Sequence, residues 1–346
     1  MKAQLVQDHS HSRRILADIV PLSAPISLTV LASSICNLQC KYCVHGTGAP
    51  WLEKMQRNRP FFEFVTAKKL IDGLKEACDN GAPKLSRITY AGYGEPPLNP
   101  EISDIVAYTK QRQVCEEVVI VTNAVALTSE LSDKLIDAGL DLIRISIQGT
   151  TAREYLEQSG RQVDIEKLVR SIQYCYSHKK AGQRVYVKIM NEQLKSDEQR
   201  ATFLKMFEDC CDEIAFESLA PVLANATEED IDRFQKGINT GSVAQMRICP
   251  LPFYSLHIMT DGSIATCCYY DHAAILGNVC QRSVHEVWES EQYHTFLKNM
   301  LNDEACNIPV CGGCKAYAYT MRYEDSIDAA KERLCEKLGV QPHGTV

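Results

Sequence analysis

Six short apolar runs, each separated from the next by a helix-patterned segment or a loop, constrain this chain more than any other feature. ISLTVLAS (26–33), RITYAG (87–92), EVVIVTNA (117–124), LIRISIQG (142–149), RVYVKIMN (184–191) and EIAFESLA (213–220) have strand length and are rich in β-branched residues. Between them lie TAKKLIDGLKEACDNG (66–81), PEISDIVAYTKQR (100–112), SELSDKLIDAG (129–139), DIEKLVRSIQYCYSHK (164–179) and SDEQRATFLKMFEDCC (196–211), whose apolar residues recur at helical spacing. A serine or threonine cap and a terminal glycine bound the third of these helices. Apolar strands alternating with helices form parallel βαβ units, so the fold class is α/β, either a partial barrel or a doubly wound sheet. In both, chemistry gathers at the C-terminal ends of the strands.

The rhythm has limits at both ends. Residues 1–25 read as an irregular lead-in, and 26–240 as the strand–helix domain. ANATEEDIDRFQKGINTGS (224–242) is polar and reads as a connector. After residue 246 cysteine density rises and a hairpin signal appears in TDGSIATCC, with its turn at Asp261-Gly262. A small cysteine-rich α+β domain over 241–320 and a C-terminal helix and tail over 321–346 complete the expected organisation.

A net charge of −7 gives no basic footprint for nucleic acid, and no apolar stretch approaches the ~18 residues of a membrane span. MKAQLVQDHSHSRRI lacks the pattern of a signal peptide, so a cytoplasmic location is expected. In that reducing compartment sixteen cysteines point to metal ligands or redox thiols rather than disulfides. Cys78, Cys115, Cys175, Cys210, Cys211, Cys280 and Cys335 lack partners at ligand spacing and are expected to pack as small hydrophobes.

CNLQCKYC (36–43) is different. Three thiols in eight positions exceed what a disulfide needs and fall short of a closed zinc site. Cys36, Cys40 and Cys43 suit three corners of a [4Fe–4S] cubane, leaving the fourth iron open to a ligand with an amine and a carboxylate.

This C-x3-C-x2-C loop after the first strand, with Tyr42 before its last cysteine, resembles the hallmark of the radical SAM superfamily. The resemblance implies a partial (β/α)6 TIM-like barrel and S-adenosylmethionine (SAM) as cosubstrate. AGYGEPPLNP (91–100) resembles the family's G-G-E-P loop, with Gly92, Gly94, Glu95 and Pro96 in place and Tyr93 where a glycine is common. Its carbonyl and carboxylate acceptors suit the SAM ammonium group. TNA (122–124) resembles a T-N-G strand end, which brings in Thr122 and Asn123. Ala124 departs from it, and a positive φ there would cost about 1 kcal/mol. SIQG (146–149) resembles the strand end whose serine, here Ser146, reaches the SAM ribose, with Gln148 where aspartate is frequent. Lys188 or Asn191 is the expected partner of the SAM carboxylate.

Cys249, Cys267, Cys311 and Cys314 form a second set, its last pair in a C-x2-C knuckle. Four thiolates suit zinc or a fully ligated iron–sulfur cluster. The stretch from Gly262 to Cys267, the LGNV…EVW segment ending at Trp288 and the C-x2-C resemble the SPASM extension in its shortened twitch form, implying one auxiliary [4Fe–4S] cluster. Cys268 and Cys306 are spare thiols that either replace a ligand, donate a hydrogen atom to a substrate radical, or merely pack.

Twitch enzymes resemble aminoglycoside-pathway dehydrogenases and epimerases. The short lead-in leaves no room for a leader-peptide-binding domain before the first strand. The expected reaction is therefore oxidation or epimerisation at a carbinol carbon of a sugar- or cyclitol-type small molecule, with a flavodoxin or ferredoxin as electron donor. Peptide modification is the alternative within the superfamily, and a non-enzymatic zinc-binding protein the alternative outside it. No general base stands out, since Asp212 and Glu217 are among many candidates.

Overall fold

The structure is a computed structural model that describes residues 2–6, 14–48, 50–219, 246–267, 274–302, 308, 311, 314 and 316–340, the side chains of residues 50 and 51 excepted. Its strands are β1 Gln4–Leu5, β2 Ser27–Leu31, β3 Leu85–Ala91, β4 Cys115–Thr122 and β5 Leu142–Ile147. β6 Arg184–Met190, β7 Glu213–Glu217, β8 Ser255–Ile258, β9 Ser263–Ala265 and β10 Ile275–Asn278 follow. They join one sheet in the order β1-β7-β6-β5-β4-β3-β2-β8-β9-β10. The six expected strands are β2 to β7, each parallel to the next in chain order, as an open partial barrel requires.

Each strand has two unlike faces. Val30, Ile88, Val118, Ile120, Ile145 and Val187 point to the outside, where helices Phe64–Asp79, Ile102–Arg112, Ser129–Asp137, Ile165–His178 and Asp197–Phe207 cover them. Alternation sends the intervening residues to the uncovered inner face. Among the described residues that face carries a small apolar cluster of Val119, Leu142, Tyr186 and Ala215, with charged side chains beside it. At the N-terminal ends of the strands Arg87 donates to Glu117 at 2.6 Å, and Arg184 bridges Glu117 and Glu213.

Three parts of the fold differ from the sequence expectation. The lead-in is not wholly irregular: β1 pairs in parallel with β7, with Gln4 N–H donating to Asp212 and Val6 N–H to Ile214, each at 2.9 Å. Two residues are too few for periodicity to announce a strand; the unpaired edge of β7 selects them. Helices Pro50–Asn58 and Ala152–Ser159 fall where no helix is expected. The second has a readable signature, a capping box between Thr151 and Glu154 and a left-handed Gly160 at its end.

The sheet continues past the barrel. β8 runs parallel to β2, and the β8–β9 hairpin turns at Asp261-Gly262, where Gly262 has a φ of +85°. The connector at 224–242 lies outside the described residues. The C-terminal helix is Lys331–Leu338, from which Arg333 donates to the Val20 carbonyl at 3.0 Å. No helix among the described residues is long and apolar enough to cross a membrane.

Candidate functional site

The cysteine loop leaves the C-terminal end of β2, and the next three strands each grip a different part of it. The β3 loop holds its beginning. Glu95 N–H donates to the Ile35 carbonyl at 2.8 Å, and the buried Asn99 amide donates to the carbonyls of Ala32 and Phe62, both at 2.9 Å. Gly94 packs so closely that a Cβ would stand 1.8 Å from the Ser33 carbonyl oxygen, so only glycine fits. Gly92 supplies a φ of +114° and Pro96 opens a short 3-10 turn.

The end of β4 holds the middle. The Asn123 amide nitrogen lies 2.8 Å from Asn37 Oδ1 and 3.8 Å from Cys36 Sγ. Thr122 donates its hydroxyl, and Asn123 its backbone N–H at 2.9 Å, to the two carboxyl oxygens of Glu95. Ala124 does adopt a φ of +60°, so alanine carries the left-handed cost of about 1 kcal/mol.

The end of β5 and the helix after it hold the last part. Tyr42 donates to the Gln148 side-chain oxygen, which also accepts from Gln193 at 3.0 Å. Gln39 and Lys41, on either side of Cys40, donate backbone N–H groups to the Ser159 and Gln158 carbonyls at 2.8 and 3.0 Å. These are terminal carbonyls of helix Ala152–Ser159, otherwise unpaired at a helix end. Beyond Cys43 a one-turn helix brings Gly46 against Cys40, where a Cβ would lie 2.2 Å from its carbonyl oxygen.

Burial dominates the electrostatics. It leads in pushing the Cys36 and Cys40 thiols up to about 12, with the charges of Glu95 and Cys43 adding at Cys36 and those of Cys43 and Cys36 at Cys40. Cys43 is raised by burial too. Three thiols that resist ionising yet lie within one another's electrostatic range suit a cationic iron centre, which would stabilise the thiolates. Among the described residues no three His, Cys, Asp or Glu side chains crowd as tightly as the ligands of one metal ion. A cubane instead spreads its thiolates over separate iron corners. Burial also raises Glu95 to about 7, with the Thr122 hydroxyl and Asn123 N–H pulling the other way.

Further along the inner face, Ser146 stands beside Lys188 across β5 and β6. Lys188 donates to the buried Glu217, which also accepts from Arg144 at 3.0 Å and from Tyr186 at 2.9 Å. Burial opposes the Glu217 charge, but Lys188 and Arg144 outweigh it and hold the carboxyl at about 2. Glu217 is therefore committed to an ion-pair network, and Asp212 accepts from the Val185 N–H at 2.7 Å near the opposite end of the strands. Asn191 accepts from Arg200 at 2.8 Å and donates to Ser218 at 3.3 Å. Arg144 was not singled out by the sequence pattern, because a charged residue inside an apolar run reads as an exposed strand position.

The second cysteine set converges on the start of helix Ala316–Thr320. Cys267, Cys311 and Cys314 pack against Ala316, and Cys249 and Cys314 lie within electrostatic range of Tyr317. Cys314 N–H donates to the Cys311 carbonyl at 3.2 Å, closing the knuckle. Burial pushes Cys311 up to about 11, and Cys314 adds to it. Three of these thiols thus line Ala316, and Cys249 comes to the same helix beside Tyr317. Cys268 and Cys306 lie outside the described residues.

Comparison with known proteins matches residues 30–205, half of the chain, to the Radical SAM superfamily and residues 249–315 to SPASM, an iron-sulfur cluster-binding domain. Over 143 residues the chain is 29% identical to GTP 3',8-cyclase of Chlorobaculum tepidum, covering 39% of each protein. Over 325 residues it is 22% identical to the tungsten-containing aldehyde ferredoxin oxidoreductase cofactor-modifying protein of Pyrococcus furiosus, covering 82% of this chain and 85% of that one. The chain thus spans well under two thirds of the cyclase it matches. Among solved structures, BtrN in complex with AdoMet and 2-DOIA superimposes with a TM-score of 0.52 at 16% identity, covering 86% of this chain and 98% of that one. AnSMEcpe with bound AdoMet and Cp18Cys peptide does so with a TM-score of 0.57 at 16% identity, covering 91% and 99%. At this identity the two share a fold with this chain.

Proposed function

Because the chain belongs to the radical SAM superfamily and carries a SPASM domain, so that SAM, a [4Fe–4S] cluster and auxiliary iron–sulfur chemistry come with it, we propose that it abstracts hydrogen from a carbinol carbon of a sugar- or cyclitol-type small molecule. The product is a ketone or an inverted centre. Bound together, the cluster and SAM supply a 5'-deoxyadenosyl radical, a hydrogen abstractor that no side chain replaces.

The residues have these tasks. Cys36, Cys40 and Cys43 hold the SAM-binding cluster, with Tyr42 bracing the loop. Gly92, Gly94, Glu95 and Pro96 form the ammonium seat, which Thr122 and Asn123 orient by fixing the Glu95 carboxylate. Ser146 addresses the ribose and Lys188 the SAM carboxylate. Two cations, the half-buried Arg144 and the buried Lys188, face the single carboxylate Glu217, and the remaining positive charge favours an anionic group nearby. Cys249, Cys267, Cys311 and Cys314 hold one auxiliary cluster. Cys268 and Cys306 are candidate hydrogen donors. A flavodoxin or ferredoxin supplies the electron.

The observation that carries this reading is the threefold clamp on the cysteine loop by the ends of β3, β4 and β5. The polar inner face supports a hydroxylated substrate over an apolar one. The test is incubation of reduced enzyme with SAM and candidate sugars or cyclitols in deuterated solvent. A ketone without deuterium uptake identifies oxidation, and an inverted centre carrying deuterium identifies epimerisation. SAM cleavage coupled only to modification of a peptide overturns the small-molecule assignment. Absence of reductive SAM cleavage overturns the reading altogether.

A further inference from the structure

Charge on the inner face of the sheet is balanced at one level and not at the next. At the N-terminal ends of the strands Arg87 and Arg184 meet two carboxylates, Glu117 and Glu213. Above them Arg144 and Lys188 share Glu217 alone. One Glu217 oxygen accepts from Arg144 Nη2 at 3.0 Å and from Tyr186 at 2.9 Å, and the other accepts from Lys188. Burial pulls Lys188 below its ordinary value, with the charge of Arg144 adding to that and the charge of Glu217 opposing it.

Of the two cations Arg144 is the open one. A quarter of its side chain is exposed, against a tenth for Lys188. Its guanidinium lies over the Tyr186 ring, 5.2 Å from the centroid, which fixes the plane of the fork. A guanidinium has five N–H donors. One goes to Glu217, and the Tyr186 hydroxyl offers a second oxygen. Among the described residues Nε has no hydrogen-bond partner, so part of the fork is unspent.

The depth of this group matters. Arg144 is level with Val121 and Tyr186, two residues before Ser146 along β5. At about 3.3 Å per residue it stands about 7 Å below the strand ends where the SAM seat is proposed. A group held there belongs to whatever lies in the barrel beneath SAM.

We propose that the substrate carries an oxyanion, a carboxylate or a phosphate ester, and that the Arg144 guanidinium seats it. The proposal rests on the small-molecule reading above and narrows it to a sugar or cyclitol bearing an acid group. The planar fork pairs with either oxyanion through parallel hydrogen bonds, which a lysine cannot reproduce. Arg144 is a binding and specificity residue, and no bond forms or breaks at it.

The test uses anaerobically reconstituted, unreduced protein saturated with SAM, so that no turnover intervenes. Inorganic phosphate and acetate are titrated separately by calorimetry, and the tighter of the two identifies the oxyanion. Arg144→Gln should weaken the tighter ion by about tenfold, and Arg144→Lys, which keeps the charge opposite Glu217 but not the fork, by less. SAM affinity, measured by equilibrium dialysis, should stay within about threefold of wild type in both variants. Failure of wild-type protein to bind either ion overturns the inference without recourse to a variant. So does equal ion binding by Arg144→Gln. Loss of ion binding when SAM is added, or a fall in SAM affinity matching the fall in ion binding, overturns it too, because the seat would then serve the SAM carboxylate. These results leave hydrogen abstraction from a small molecule standing. Absence of reductive SAM cleavage, or cleavage coupled only to a peptide, overturns that reading and the inference with it.

Discussion

Asn123 donates its side-chain amide to Asn37 over 2.8 Å, joining the end of β4 to the loop that carries the first three cysteines. The same nitrogen lies 3.8 Å from Cys36 Sγ, so one side chain aligns the first sulfur with the strand edge. Asn123→Ala removes that bond and the one its side-chain oxygen accepts from the Val125 N–H, together worth about 2 kcal/mol, and frees the loop. The urea midpoint should fall accordingly, and iron incorporation at the first site should slow. Unchanged reconstitution kinetics would remove the alignment role.

Gly94 gives the sharper steric prediction. A methyl group there overlaps the Ser33 carbonyl, which belongs to the backbone and cannot rotate away. Gly94→Ala should lose about 3 kcal/mol of stability, at the upper end for overpacking, and most of its SAM affinity. Urea unfolding and equilibrium dialysis measure the two losses. Wild-type behaviour in both would mean that the β3 loop is not fixed against the cysteine loop.

Glu95 predicts opposite pH trends for folding and for binding. Burial raises its folded pKa from 4.5 to about 7, so its neutral form is the one the apo fold prefers. Stability from this group is complete at low pH and is lost as pH rises through about 7. The full loss is on the order of 3 kcal/mol. A cationic ammonium beside the carboxylate binds the ionised form. SAM affinity should therefore climb over the same window and level off above it. Glu95→Gln should flatten both profiles, and calorimetry across pH 5 to about 8 is the check.

Glu217 behaves in the reverse sense. Its carboxyl is held at about 2 by Lys188 and Arg144 despite burial, so its contribution is complete above the ordinary value of 4.5 and disappears as pH falls toward 2. Glu217→Gln leaves two cations without their counter-charge and should cost about 3–5 kcal/mol at neutral pH. Equal urea midpoints for variant and wild type would show that the network contributes nothing net.

The two cysteine sets should come apart in an iron assay. Replacing Cys311 and Cys314 with alanine should reduce iron from about eight to about four per chain and leave reductive SAM cleavage detectable. Replacing Cys36, Cys40 and Cys43 should halve the iron as well, but abolish SAM cleavage. Iron analysis with product chromatography distinguishes these patterns, and zinc in place of iron in the wild type would contradict both.

The barrel strands were legible because Val, Ile and Leu recur where helices cover one face. The charges interrupting those runs, such as Arg144 and Lys188, mark the inner face. The cysteine spacing and the G-x-G-E-P loop announced the site for a related reason: Gly94 and Glu95 each serve a steric or acceptor role that few other residues can fill. Other parts were not legible, because they depend on partners distant in sequence. β1 exists only where β7 offers an edge, and the Gln158 and Ser159 carbonyls brace the cysteine loop only once the fold brings them together. Helix Ala152–Ser159 was within reach, since Thr151, Glu154 and Gly160 spell out both of its ends.

The pairing of β8 with β2 has a mechanical meaning. Ser27 faces Ser255 in register, and their hydroxyls meet at 3.2 Å, so the strand entering the first sulfur loop and the strand after Cys249 share one hydrogen-bonded lattice. The reach from the first sulfur loop back to Cys249 is therefore set by main-chain pairing when the chain folds.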